Sequence, residues 1–177
     1  ARSLGLNMIG ICDHNSAENV GAVASAGRRE SVVVIPGIEI TTREEVHILG
    51  LFETEQDVLG IQSVVYDNLV GANDERAFGA QTVVDQWDRA KGVNTKLLMG
   101  ATCLGLEEVV DAIHGCGGLA IAAHVDRPSF GLMGQLGFVP AGLRLDACEM
   151  SPRASVARRS DFPVLTSSDA HALQEIG

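Results

Sequence analysis

Apolar and polar positions along the chain fall into two alternating kinds of block. Short β-rich apolar runs occur at "NMIGIC" (7–12), "SVVVIPGIEI" (31–40), "EVHILGLF" (45–52), "LAIAAHV" (119–125), "RLDACEM" (144–150) and "FPVLTSSDAH" (162–171). Segments of helical spacing lie between them. "SAENVGAVASAGRRE" (16–30) predicts a helix with Ser16 as its N-cap, although Asn19 stands where a full capping box needs Glu or Gln. The second run is interrupted by Pro36-Gly37, and a mixed acidic helix follows the third run through about Val70. Leu106, Val109, Val110 and Ile113 recur at i, i+3, i+4 and i+7, so "GLEEVVDAIHGCGG" predicts an amphipathic helix closed by glycines. Strands separated by helices predict βα units and a parallel sheet, an α/β fold.

The segment 71–102 breaks this rhythm. Its Gly, Asn and Asp punctuation around "QTVV" predicts an inserted hairpin or lid. No internal repeat, low-complexity tract or linker divides the chain, so 1–177 reads as one domain carrying that insertion.

Composition narrows the function classes. With 46% hydrophobic residues, 20% charged and 20 glycines in 177 residues, the chain is globular in type, and 4% aromatics leave its core to Val, Ile, Leu and Ala. The formal charge is 13 − 23 = −10, with no Lys/Arg block to track phosphates, so duplex nucleic acid is a disfavoured partner. An anionic substrate would need local positive charge, which bound cations can supply. Cys12, Cys103, Cys116 and Cys148 form no C-x-x-C pair. Reduced thiols and a cytoplasmic location are expected, and neither a signal peptide nor an apolar run of about 18 residues suggests secretion or membrane spanning.

Four of the apolar runs lead into the same chemistry. The first runs into Asp13-His14, the second into Glu39, the fourth into His124 and the last into Asp169-Ala170-His171. Parallel α/β folds gather strand carboxyl ends on one face, where active sites are built. Asp169 and His171, two apart in an extended segment, would point to one side. His47 lies early in its run, so that rule does not place it. Taken singly, each such histidine reads as a hydrogen-bonded structural residue; four runs ending alike favour a shared site. Mixed His/carboxylate ligation without thiolate suits Mn, Fe or Zn. Asp13 fits a capping role or one behind the ligands, and His114, near its helix's glycine stop, fits dipole stabilisation. Arg127 offers a planar fork for phosphate oxygens, with a salt bridge to Asp126 as the open alternative. Arg43 and Lys96 are weaker anion-binding candidates.

"ICDHNSAENV", "VIPGIEITTREEVHILGLF", "GGLAIAAHVDRPSF", "QLGF" with "LDACEMS", and "SSDAH" together resemble the PHP domain (polymerase and histidinol phosphatase), especially its small stand-alone bacterial members described as metal-dependent phosphoesterases. The likeness spans nearly the whole chain. It implies a distorted TIM-like (βα)7 barrel, two or three divalent ions (Mn, Fe or Zn) per full site, and hydrolysis of a small phosphorylated substrate through a metal-bound hydroxide. By this resemblance His14, His47 and His124 match metal ligands, Glu39 the metal-bridging carboxylate, and Asp169 and His171 the closing D-x-H. The family opens with an H-x-H strand, and this sequence has no H-x-H. Its first residues correspond to the helix after that motif, so a partial domain, incomplete at the N-terminus, is expected; a carboxy-terminal piece is expected to lie outside this sequence as well. The rival readings are a metal- or nucleotide-binding module without catalysis and a PHP-type nuclease.

Overall fold

The computed structural model describes residues 1–151 and 162–177. β1 (Met8–His14) leads through α1 (Val20–Arg29) to β2 (Val33–Thr41), which pairs parallel to β1 from Met8↔Val33 to His14↔Glu39. The helix starts later than its pattern predicts. Ser16 does not cap it, because the Ser16 hydroxyl faces the Tyr66 hydroxyl at 3.0 Å, and Asn19 occupies the N-cap position.

Pro36 and Gly37 do not interrupt β2, which is paired through both residues. The Pro36 carbonyl accepts from the Phe52 amide at 2.8 Å. Gly37 is needed for contact, since a Cβ there would lie 2.6 Å from Cys12 Sγ and 2.9 Å from the Ile11 carbonyl oxygen.

β3 (His47–Leu51) corrects the all-parallel expectation. It pairs antiparallel to β2, with Thr41 opposite His47. Only residues 42–46 join the two strands, too few for a parallel crossover, which takes a dozen or more. α2 (Glu55–Asn68) follows, capped by the Thr54 hydroxyl, which accepts from the Asp57 amide at 3.2 Å. Residues 71–102 hold the short α3 (Glu75–Phe78) and a separate antiparallel hairpin of β4 (Gln81–Val84) and β5 (Ala90–Asn94).

The chain returns to the main sheet through α4 (Leu106–Gly115) and β6 (Leu119–Ala122), then α5 (Leu132–Leu136), β7 (Ala147–Glu149) and β8 (Val164–Leu165). The last three runs give shorter strands than their sequence extents. Among the described residues, six strands lie in the order β1-β2-β3-β6-β7-β8, with β3 alone reversed, as a curled half-barrel consistent with a partial TIM-like barrel. Val58, Ile61 and Val65 of α2 and Leu106, Val109, Val110 and Ile113 of α4 pack with Ile38, Ile40 and Ile48 in one buried cluster. Each such side chain contributes roughly 1.5–3 kcal/mol when fully buried. Among the described residues no helix is long and apolar enough to cross a membrane.

Candidate metal centre

Parallel pairing of β1 with β2 brings His14 beside Glu39. The reversed β3 brings His47 to the same end, because the start of an antiparallel strand lies where its neighbours finish. The direction of β3 therefore accounts for a histidine that strand-end reasoning left unplaced. β6 pairs with β3 from Ile48↔Ala122, and His124 follows two residues on, in a left-handed turn with φ 55°.

These four side chains meet around one carboxylate. Glu39 is 4% exposed, and its Oε1 lies 2.8 Å from His47 Nδ1 and 3.2 Å from His124 Nε2. Its Oε2 faces His14 Nδ1 at 3.5 Å. The facing nitrogens of His47 and His124 are themselves 3.3 Å apart. Phe130 stacks on the His47 ring at 4.6 Å between centroids, and its carbonyl accepts from the His47 amide at 3.0 Å.

Asp169 and His171 close the group from another side. The expected extended D-x-H geometry is not found: β8 ends at Leu165, and Asp169 adopts φ 47°. That turn still places His171 Nδ1 3.9 Å from Asp169 Oδ1, and the exposed His171 ring lies 6.0 Å from the His14 ring. Arg127 does form a salt bridge, but to Asp169 rather than to Asp126; its Nη2 lies 2.6 Å from Asp169 Oδ2, which sets the guanidinium at the edge of the cluster.

The other candidates have different surroundings. Asp13 projects away from its neighbour His14, as alternation along a strand requires, and its Oδ2 accepts from Asn19 Nδ2 at 3.5 Å. Arg43 is exposed, and its guanidinium faces Glu44 and the Cys103 carbonyl instead of the cluster. Lys96 Nζ donates to the Tyr66 carbonyl at 2.7 Å. His114, in the last turn of α4, pairs with Asp146 at 2.9 Å.

Electrostatics follow from burial. Burial alone would raise the Glu39 pKa, but hydrogen bonds from His124 and His47 and the charge of His14 hold it well below the usual carboxylate range. Burial would lower His124, yet its bond and attraction to Glu39 raise it. His14 is lowered, by burial first, against the pull of Glu39. Cys12 sits beneath the cluster with its thiol pushed up to about 12 by burial and by Glu39 and other carboxylates.

Sequence reasoning missed Glu149 and Asn15. Glu149, at the end of β7, is 5% exposed; burial raises its pKa first, and Ser167 and His124 act against that. An acid inside "DACEM", a run read as a strand, was the available signal. Asn15 is fully buried next to His14, and its side chain accepts from the Thr41 amide at the end of β2.

The donor set fits a divalent ion. Ligands about 2.0–2.2 Å from one ion stand roughly 3.0–3.5 Å from each other, and the Glu39–His47–His124 triangle has edges of 2.8, 3.2 and 3.3 Å. The facing nitrogens of His47 and His124 could both ligate one cation beside Glu39. His14 Nδ1 and His124 Nδ1 are also buried without a hydrogen-bond partner.

Comparison with solved structures supports the same fold. A candidate metal-dependent phosphoesterase from Bifidobacterium adolescentis superposes with TM-score 0.62 at 19% identity, covering 97% of this chain and 80% of that one. The lesion-specific endonuclease PfuEndoQ from Pyrococcus furiosus superposes with TM-score 0.61 at 18% identity over 94% of this chain. The chain spans 40% of the endonuclease's length. At this identity the likeness is one of fold, and it supports a PHP-like fold. No family model matches the chain, and no curated protein matches it.

Proposed function

We propose that the chain is a metal-dependent phosphoesterase acting on a small phosphorylated substrate, centred on Glu39. One observation carries this reading: a single buried carboxylate turns one oxygen to His47 and His124 and the other to His14. In this reading Glu39, His47 and His124 would together hold one ion, and His14 with His171, and Asp169, would help hold any further ion. His and carboxylate ligands without thiolate suit Mn, Fe or Zn. Such ions, when bound, lower the pKa of coordinated water toward neutrality and offset charge on a phosphoryl oxygen.

The chain's own residues prepare the site. Hydrogen bonding keeps Glu39 ionised despite its burial. Burial lowers the His14 pKa, which favours the neutral imidazole needed for ligation. Arg127 supplies the planar fork that would hold phosphate oxygens, a contribution that matters in a chain of net charge −10. Asp13, which accepts from Asn19 at the start of α1, would steady the turn behind the cluster instead of touching it. The insertion at 71–102 would shape substrate access.

The test is elemental analysis of the purified protein and of Glu39→Ala, followed by assays on phosphomonoesters, nucleotides and short single-stranded DNA. The expected result is at least one equivalent of Mn, Fe or Zn lost in the variant, together with phosphomonoester hydrolysis. A metal-loaded chain inert across the panel would refute catalysis and favour a binding module. Cleavage of DNA alone would favour a nuclease, a reading that the fold shared with the endonuclease keeps in view.

A further inference from the structure

We propose that Asn15 is a positioning residue: its buried amide clamps the 98–100 stretch of the insertion onto the strand ends that carry His14 and Glu39. The insertion would then be a fixed wall of the centre rather than a hinged cover.

The side chain is fully buried, and its three hydrogen bonds join two segments, the 98–100 stretch and the end of β2. Nδ2 donates to the Leu98 and Gly100 carbonyls, both at 2.8 Å, and Oδ1 accepts from the Thr41 amide at 3.1 Å. The Asn15 backbone amide donates to the Glu39 carbonyl at 2.7 Å. The residue also sits at φ 51°, a left-handed conformation that Asn tolerates better than most side chains. Asp would place an oxygen against two carbonyl oxygens, and Gly would keep the turn but lose the clamp.

Other contacts hold the same stretch from both sides. Thr102 donates to the Thr41 carbonyl through its amide and its hydroxyl, both at 2.9 Å. From the hairpin, Gln81 Oε1 accepts from the Leu98 amide at 3.2 Å while Nε2 donates to the Asn94 and Lys96 carbonyls. The stretch is thus suspended between Gln81 on β4 and Asn15 beside the cluster. Loosening either anchor should be felt at His14, the residue next to Asn15, and at Glu39, whose carbonyl Asn15 holds.

Hydrogen exchange of the metal-free full chain tests this in Asn15→Asp and Gln81→Ala. In Asn15→Asp, residues 97–102 should exchange about tenfold faster while α2 and α4 keep parent rates. Gln81→Ala acts from the far side and touches none of the cluster residues. It should speed exchange in 97–102 and also at 13–15 and 39–42, and weaken Mn²⁺ binding about 3–10-fold, while α2 and α4 keep parent exchange rates. Parent rates for 97–102 in Asn15→Asp, or loosening in Gln81→Ala that stops at 97–102, would overturn the clamp. Should Asn15→Asp fail to fold, Gln81→Ala decides alone. The Mn²⁺ arm rests on the proposed function: a parent chain that binds no Mn²⁺ refutes that reading, while the exchange comparison still decides the clamp.

Discussion

Replacing Glu39 by Gln keeps the shape of the central side chain and removes its charge, which makes it the sharpest perturbation of the cluster. The carboxylate has two close imidazole partners, at 2.8 and 3.2 Å, and a looser one at 3.5 Å. A hydrogen bond to a charged group contributes about 1.5–3 kcal/mol against about 0.5–1.5 for a neutral one. Neutralising the acceptor of the two close bonds should therefore cost about 2 kcal/mol, or roughly 4–8 °C in Tm for a chain of this size. The pH dependence carries the discrimination. The Glu39 pKa is depressed in the fold, so its contribution is present above its unfolded value of about 4.3 and is lost as pH falls toward the folded value. The His124 pKa is raised, so its contribution is full below about 6.5 and is lost as pH rises through the folded value. The deficit of Glu39→Gln should be greatest between about pH 4.5 and 6.5 and shrink on both sides. Urea unfolding of parent and variant in chelator-treated buffer, from about pH 3.5 to 8.5, measures it. A deficit that stays flat across that range would refute the charge-based account of the cluster.

Other substitutions probe single contacts. Gly37→Ala would press a methyl group against Cys12 Sγ and the Ile11 carbonyl, and should destabilise by about 1–3 kcal/mol in denaturant titration; a neutral result would show that β1 and β2 can part without loss. Ile113→Ala empties a fully buried position beneath the sheet and should cost about 2–5 kcal/mol, visible as a lower urea midpoint at unchanged slope. Arg127→Lys keeps the charge that pairs with Asp169 but loses the planar fork, so steady-state kinetics on a phosphomonoester should show KM raised about tenfold and kcat within about twofold of the parent; an unchanged KM would remove Arg127 from phosphate binding.

Much of the frame was legible because it rests on local periodicity. The spacing of Leu106, Val109, Val110 and Ile113 predicted a helix, and all four are buried in α4. Runs of apolar residues located the six strands of the main sheet, and reading chemistry at their ends brought His14, Glu39 and His124 into one group that the structure also brings together. Within 71–102, β4 and β5 pair with each other as a sheet separate from the main one. The start of α1 was misplaced because Ser16 and Asn19 are both good cap residues, and only tertiary contact assigns the Ser16 hydroxyl to Tyr66.

Strand direction was not legible, and it decides the site. Hydrophobic pattern reports which positions are buried, whereas the sense of a strand depends on whether its connection has room to cross the sheet. Residues 42–46 do not give β2 that room, so β3 turns back and His47 enters at the end where β1 and β2 finish. The second hidden feature is backbone handedness. Asn15, His124 and Asp169 all adopt positive φ, at 51°, 55° and 47°, in the turns beyond the strands of the cluster. Non-glycine residues held in that region carry strain, which concentrates where surrounding structure over-determines it. At His124 and Asp169 the turn aims an imidazole and a carboxylate at neighbours that an extended chain would miss, and at Asn15 it frees the amide to reach Leu98 and Gly100. A sequence can name the residues at a strand's end; it takes the turn beyond that end to say which way each one faces.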